Sequence, residues 1–499
     1  MPIDEKEPEV TDSSPELVTA TQPPVSDNVN LEPYSIHGRK AKWFLVGMVA
    51  LAGFFSPLPA NIYFPAMPAL ATVFNVSIES VNLTVTIYLA MQGISPMLWG
   101  PLSDRLGRRP MFMICLAILV AACIGLALTP ASAFWLFLLL RALQAGGCAS
   151  TIALGSGVIG DISTPEERGG FFGMFNLGPM LAPCIGPVLG GALNDGLGWR
   201  SIFWFLTAFA AACLVFIACF LPETMRTLVG NGSFAPPHAI YRPLIPIIHQ
   251  GTIDPTNSSH MTRATRQSVN PLKLFLYKDV LLTLSYTGIV YAVNYTITAT
   301  ISNSFAHIYP YLSDTSIGLC YLASGGGMIL GSTLTGKMLD WEYRRIREKW
   351  DRTPQSTKSS DFPIEVARLR MVPVLLVIFV ACVLAWGWCL KNKVSIAGPL
   401  VLQVILGYTS ISILNTTMTL MIDIVPGRSS GVIACTNLVR CSLAAVLVSL
   451  IDKSEAHLGQ GWTYVVLGLI CFFLLPLIYI EMRLGPRWRS ARQTNFSTM

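Results

Sequence analysis

Charge is scarce in this sequence. Asp, Glu, Lys and Arg make up 12% of the 499 residues, against 52% hydrophobic. A soluble chain carries roughly 25% charged residues. Half of that leaves too few charges to keep such a surface in water, so a water-soluble domain is excluded. A bilayer is the place left to bury the apolar side chains, as the mean hydropathy of +0.55 also indicates. The 12 cysteines all fall in apolar runs, and none forms a CxxC pair or a Cys/His metal spacing. A disulfide framework and a metal site are thereby excluded. There is no G-x-x-x-x-G-K-[ST] loop, hence no ATP cofactor, and no nucleophile or His/Asp/Glu constellation of an enzyme. No basic and aromatic patch tracks a nucleic acid, so the net charge of +6 is a matter of topology. The acidic start "MPIDEKEPEVTDSSPE" is no signal peptide. It predicts a disordered cytosolic tail over residues 1–42.

What the sequence has is apolar runs of bilayer length, and there are twelve. They lie near 43–64, 78–99, 111–129, 133–155, 170–192, 201–221, 279–302, 315–336, 371–390, 397–421, 430–451 and 461–481. The fold class is therefore an all-α membrane protein with twelve transmembrane helices. An even count puts both termini on one side. With them inside, the outer segments hold only Arg200, Lys391, Lys393 and Lys453 of the 34 Lys and Arg, and Arg141 and Arg440 fall within runs. That bias places both termini in the cytosol. The chain divides into a bundle over 43–221, a cytosolic linker over 222–278 and a bundle over 279–482. The second bundle carries a cytosolic insertion at 337–370, and a cytosolic tail follows at 483–499. "EYRRIREKWDR" in the insertion predicts a short surface helix. Asn75-Val76-Ser77 is a glycosylation sequon in the first outer loop. Asn257-Ser258-Ser259 lies inside and should be unused.

The two bundles repeat. "WGPLSDRLGRRP" follows the second run and "TGKMLDWEYRR" follows the eighth. Gly100, Asp104, Arg108 and Arg109 match Gly336, Asp340, Arg344 and Arg345 at identical spacing. Asp161 at the end of the fourth run is echoed by Asp423 at the end of the tenth. Two matches in register argue for two pseudo-symmetric six-helix bundles from a duplicated unit, with a substrate site between them near mid-membrane.

At these motifs the sequence resembles the major facilitator superfamily. "GPLSDRLGRRP", "LLLRALQAGGCAS" on the fourth run and "APCIGPVLGG" on the fifth are similar to its signatures. "NIYFPAMP", "GWRSIFWFL", "LPET", "DFPIEVARLR" and "NLVRC" resemble the fungal twelve-spanner drug:proton antiporters of the quinidine-resistance group. That group also includes organic-acid exporters. The resemblance implies a secondary transporter that exports small organic compounds by alternating access. Protons would be the coupling ion, and the lipid bilayer the only other partner of a monomer. The membrane is the cell membrane or an internal, vacuolar-type one. The alternatives are an organic-acid exporter, or a sensor that kept the fold.

Residue roles follow in part from chemistry. Asp104 can accept from N–H groups where the third run starts. Family resemblance pairs Arg108 with Asp161, and the repeat then suggests Asp340, Arg344 and Asp423 as an equivalent set. The clusters would form a conformational latch. Arg141, deep in the fourth run, must face the interior, because an unpaired charge there is costly. Arg440 is similar. With no carboxylate deep in any run, and Asn61 where bacterial relatives often carry Asp, the proton has to use another group. Asp161, Asp195, Asp423 and His307 are the candidates. Gly186, Pro187, Gly190 and Gly191 form the antiporter motif of the fifth run, and Gly325, Gly326, Gly327 and Gly331 line the eighth. Small residues four apart permit close helix contact. By family analogy the pathway takes Asn61, Tyr63, Arg141, Gln144, Tyr291, Asn294, Tyr295, Gln403, Tyr408 and Asn415. Tyr88, Gln92 and Asn437 are placed beside them.

Overall fold

A computed structural model describes residues 34–236, 238–247, 271–352, 363–425 and 429–497. The acidic N-terminal stretch before residue 34, the sequon at Asn257 and the side chain of Asp340 lie outside the described residues.

Twelve long helices form, because each long apolar run can satisfy its backbone in a bilayer only as a helix. They are α1 (Arg39–Phe74, with a break after Phe54), α2 (Ile78–Leu106), α3 (Arg108–Leu128), α4 (Phe134–Ile162), α5 (Pro165–Leu197) and α6 (Trp199–Phe220). After the linker come α7 (Lys278–Ile308), α8 (Asp314–Asp351), α9 (Val372–Lys391) and α10 (Ala397–Ile424). A last helical stretch breaks at Gly459, whose φ is +75°, into α11 (429–458) and α12 (460–497, with a turn at Phe473–Leu474). Among the described residues, eleven helical segments thus hold the twelve spans.

The repeat extends to the caps. Ser77 accepts from the Ser80 N–H at the start of α2, and Ser313 accepts from the Ser316 N–H at the start of α8. The offset is the one that takes Gly100 to Gly336. Within the first half, α3 packs on α6 and α4, α1 on α5, and α2 on α4. Within the second, α8 packs on α10 and α7 on the α11–α12 stretch. The halves meet where α5 lies along α8 and α2 along α11, two contacts that a twofold axis would exchange. The end of the bundle holding the Arg-rich connections is called the basic end below, and the other the far end.

Several boundaries differ from the expectations. Residues 34–38 pack on the bundle: the Tyr34 hydroxyl donates to the Gly160 carbonyl at 3.1 Å. The first part of the linker also packs down, with Glu223 and Thr224 buried. "EYRRIREKWDR" is no separate surface helix, because α8 continues unbroken to Asp351. Beyond a turn at Phe473–Leu474 the chain is helical again from Leu475 to Ser497.

The turn after α2 explains the α8 extension. Gly107 has φ +100°, a conformation glycine takes without strain, and the chain reverses there into α3. The residue at the same repeat position in the second half is Tyr343. A tyrosine does not take that turn cheaply, so α8 does not break.

Candidate functional site

At the basic end, Arg108 sits on the first residue of α3. Its Nη1 lies 2.7 Å from Asp104 Oδ1 and donates to Ser103 Oγ at 2.6 Å, and its Nε donates to Asp161 Oδ2 at 3.1 Å. The Glu223 carboxylate caps α3 by accepting from the N–H groups of Arg108 (2.9 Å) and Arg109 (3.2 Å). Negative charge at a helix start is favourable on both hydrogen-bond and dipole grounds. Arg109 turns away, donating to the carbonyls of Ala218 (2.6 Å) and Ile240. Arg226 ties the linker to this cluster through the Asp161 carbonyl at 3.0 Å. No Cβ neighbour lies near Gly100 or Gly336.

In the second half the geometry corrects the expected pairing. Asp423 is held by Arg368, Nε to Oδ2 at 3.0 Å, with the guanidinium over the Tyr343 ring at 4.6 Å. Because α8 runs straight past Tyr343, Arg344 and Arg345 ride out on its exposed face. Arg345 reaches Glu342 only at 3.9 Å, and Arg370 pairs with Glu342 at 2.9 Å. Arg368 belongs to "DFPIEVARLR", ahead of α9. The sequence signal that would have found it is Tyr343 in place of glycine.

The halves are tied at the far end. Asn82 Nδ2 on α2 donates to Asp452 Oδ2 on α11, and Asn194 Nδ2 on α5 to Asp314 Oδ2 on α8, both at 2.5 Å. Asp195 accepts from the Thr315 N–H at 2.7 Å. Here α5 and α8 touch closely. A Cβ on Gly191 would stand 2.3 Å from the Asp314 carbonyl oxygen, and one on Gly318 2.4 Å from that of Pro187. The glycines named from sequence divide their work. Gly191 and Gly325 face the other half, whereas Gly186 and Gly190 pack on α1 and Gly327 and Gly331 on α10. A Cβ on Gly326 would meet nothing.

Between the ends, Arg141 is completely buried. Its Nη1 donates to the Pro59 carbonyl at 2.9 Å and to Gln144 Oε1 at 2.7 Å. The guanidinium lies over the rings of Tyr63 (4.2 Å) and Tyr88 (4.6 Å), attractive cation–π contacts in a dry setting. Its Nε and Nη2 have no hydrogen-bond partner among the described residues. Arg440, from the other half, donates to Asn437 Oδ1 at 2.9 and 3.1 Å and lies over Tyr291 at 4.8 Å. Tyr295 packs on Tyr291 and on Phe64 of α1, and Phe64 stacks on Tyr321 of α8 at 6.1 Å. An aromatic bridge thus joins the halves beside the two arginines. Among the described residues, no carboxylate lies within salt-bridge distance of Arg141 or Arg440.

Other pathway candidates scatter. Gln92 donates to the Ser56 carbonyl at 3.2 Å, and its own carbonyl accepts from Asn437 across the halves at 2.7 Å. Gln403, 1% exposed, has no hydrogen-bond partner for either side-chain polar atom among the described residues. Asn294 is buried on α7. Tyr408 is half-buried, and Asn415 donates to Ser332 within the second half at 3.2 Å. Asn61 bonds back to the Pro57 carbonyl of its own segment at 2.7 Å. His307 is exposed at the far end, and Asn75, with φ +51°, ends α1 on the exposed surface there.

Two six-helix halves related by a twofold, with a polar and aromatic centre between them, define a membrane carrier of the two-lobed kind. The chain belongs to the Major Facilitator Superfamily, whose sequence profile matches residues 49–449. Citrate exporter 1 of Aspergillus niger is 37% identical, with 92% of this chain and 89% of that protein covered. Multidrug transporter QDR2 of Candida glabrata is 34% identical, covering 91% and 82%. The backbone is also similar to the crystal structure of a bacterial homolog of the human lysosomal transporter Spinster, in an inward-facing and unoccupied conformation. That likeness has a TM-score of 0.57 at 14% identity, covers 92% and 98%, and concerns the fold alone.

Proposed function

We propose that this chain exports small organic compounds bearing a carboxylate or similar anionic group, by alternating access and proton antiport. The carrying observation is Arg141, a fully buried guanidinium with two nitrogens unpartnered and no carboxylate at hand. A buried charge left uncompensated costs several kcal/mol, and a substrate anion would complete its hydrogen bonds. Arg440 supplies a second positive charge from the other half, and the tyrosines supply apolar faces for the carbon skeleton. That relatives at similar identity are named a citrate exporter and a multidrug transporter is consistent with this range.

In this reading the basic end and both termini face the cytosol, the chain acts as a monomer in the cell membrane, and the arginine–carboxylate clusters latch the basic end. The test is uptake of labelled di- and tricarboxylates and of a cationic drug into inside-out vesicles, with and without an acidic lumen. Carboxylate uptake stimulated by the acidic lumen is expected. Drug uptake alone would overturn the anionic assignment, and absence of any flux would overturn export.

A further inference from the structure

The far-end contact between α2 and α11 is an amide facing a carboxylate, and only half of the amide is used. Asn82 is 4% exposed. Its Nδ2 donates to Asp452 Oδ2 at 2.5 Å, while its Oδ1 is buried with no hydrogen-bond partner among the described residues. A buried orphan acceptor is destabilising, because it has given up its bond to water without gaining another. Beside it stands a carboxylate, which has nothing to donate unless it carries a proton.

We propose that Asp452 and Asn82 form a proton-binding clamp, through which acidity in the far-end compartment closes the far end. One proton adds to the free oxygen of Asp452. The new O–H donates to Asn82 Oδ1, the amide N–H continues to donate to the other oxygen, and the pair closes into a two-bonded acid–amide ring. No other bond breaks.

Burial favours the neutral form of Asp452, against the Asn82 N–H bond, which favours the charged one, and neighbouring carboxylates add to the effect of burial. Glu79, one turn earlier on α2, and Glu455, one turn on along α11, both lie within electrostatic reach of Asp452. Lys453 and His457 on α11 are the nearby basic residues in sequence, and both are exposed. Bringing α2 to α11 therefore gathers three carboxylates, and a proton on the one that is clamped relieves their repulsion. At the other contact between the halves, the Asn194 amide that donates to Asp314 has no such buried orphan among the described residues. Closure and protonation are linked in both directions: whatever the proton adds to closure, closure adds to proton affinity.

The proposal rests on the alternating-access reading only in that the far end must open. Its test needs no substrate, so a wrong substrate class leaves it intact. Fluorophores carried by unnatural amino acids at Thr72 and His457, both exposed on opposite halves, report far-end distance in the purified full-length protein. In the wild type the far-end-open population should fall on acidification, by up to about tenfold per pH unit for one proton. Asp452→Asn mimics the neutral acid and should hold the far end closed at every pH. Asn82→Ala removes the acceptor and should leave it open at every pH. Opposite, pH-independent shifts are not what two merely structural residues would give. A wild-type distance that ignores pH, or an Asp452→Asn variant that retains the wild-type pH response, overturns the proposal. So does the same direction of shift in both variants.

Discussion

Arg368 and Asp423, 55 residues apart, meet at 3.0 Å, with the Arg368 guanidinium over the ring of Tyr343. They occupy in the second half the place that Arg108 and Asp161 hold in the first. The duplicated unit has kept the ion pair while exchanging the arginine that supplies it. A glycine turn delivers Arg108 to the carboxylate. Without that turn the second half brings its arginine back from beyond the insertion.

The first prediction follows from that exchange. Arg368→Ala should impair transport to the same degree as Arg108→Ala, about tenfold or more. Breaking a largely buried pair leaves a carboxylate unpaired, at a cost of up to about 3–5 kcal/mol. Arg344→Ala, on the exposed face of α8, should lower it less than twofold. Flux normalised to surface expression checks this, and equal losses in Arg344→Ala and Arg368→Ala would refute it.

Gly107 carries the turn on which the first cluster depends. A Cβ there would stand 2.5 Å from Glu223 Oε2, at a φ of +100°. Gly107→Ala should therefore cost about 1–3 kcal/mol in backbone strain alone, and more through the displaced cap. A melting temperature several degrees below wild type in detergent is the expected outcome. An unchanged value would show that the turn tolerates a side chain.

Gly191 and Gly318 set how closely the halves approach at the far end. A valine at either position puts side-chain carbon into the facing backbone carbonyl. The expected result is a protein that folds, binds from the far end, and does not complete the cycle. Labelling of far-end positions by a membrane-impermeant reagent should rise severalfold. Normal turnover in Gly191→Val would mean that this contact is not part of closure.

Much of this was legible in the sequence, for identifiable reasons. Twelve helices follow from run length, because a bilayer allows an apolar stretch few other forms. The repeat follows from exact spacing, and the serine caps extend it. Boundaries were missed where a helix leaves the apolar layer and stays helical, as α8 does from Asp340 to Asp351, since hydropathy ends where the backbone pattern does not. Asn82 and Asp452, 370 residues apart, carry no local signal at all. Nor does the sequence say which way a buried amide points. Asn61 stands in a segment that resembles a functional one, and was placed in the pathway for that reason.

In the structure Asn61 is bonded to its own turn, and this yields the last prediction. Its Nδ2 donates to the Pro57 carbonyl at 2.7 Å, and Gly186 of α5 packs against its Cβ. Asn61→Asp would set an ionised carboxylate against a carbonyl oxygen at a site 3% exposed. Two acceptors facing one another in a dry site cost about 1–3 kcal/mol, and the unpaired charge adds to that. The substitution should therefore lower thermal stability and expression. It should not create a new proton-coupled step, even though it restores the acid that bacterial relatives often carry there. Asn61→Ala loses one hydrogen bond, worth about 1 kcal/mol, and should transport at no less than half the wild-type rate. Thermal melting and vesicle flux, measured on both variants, separate these roles. A stable Asn61→Asp protein with a steeper pH dependence of transport would return Asn61 to the pathway.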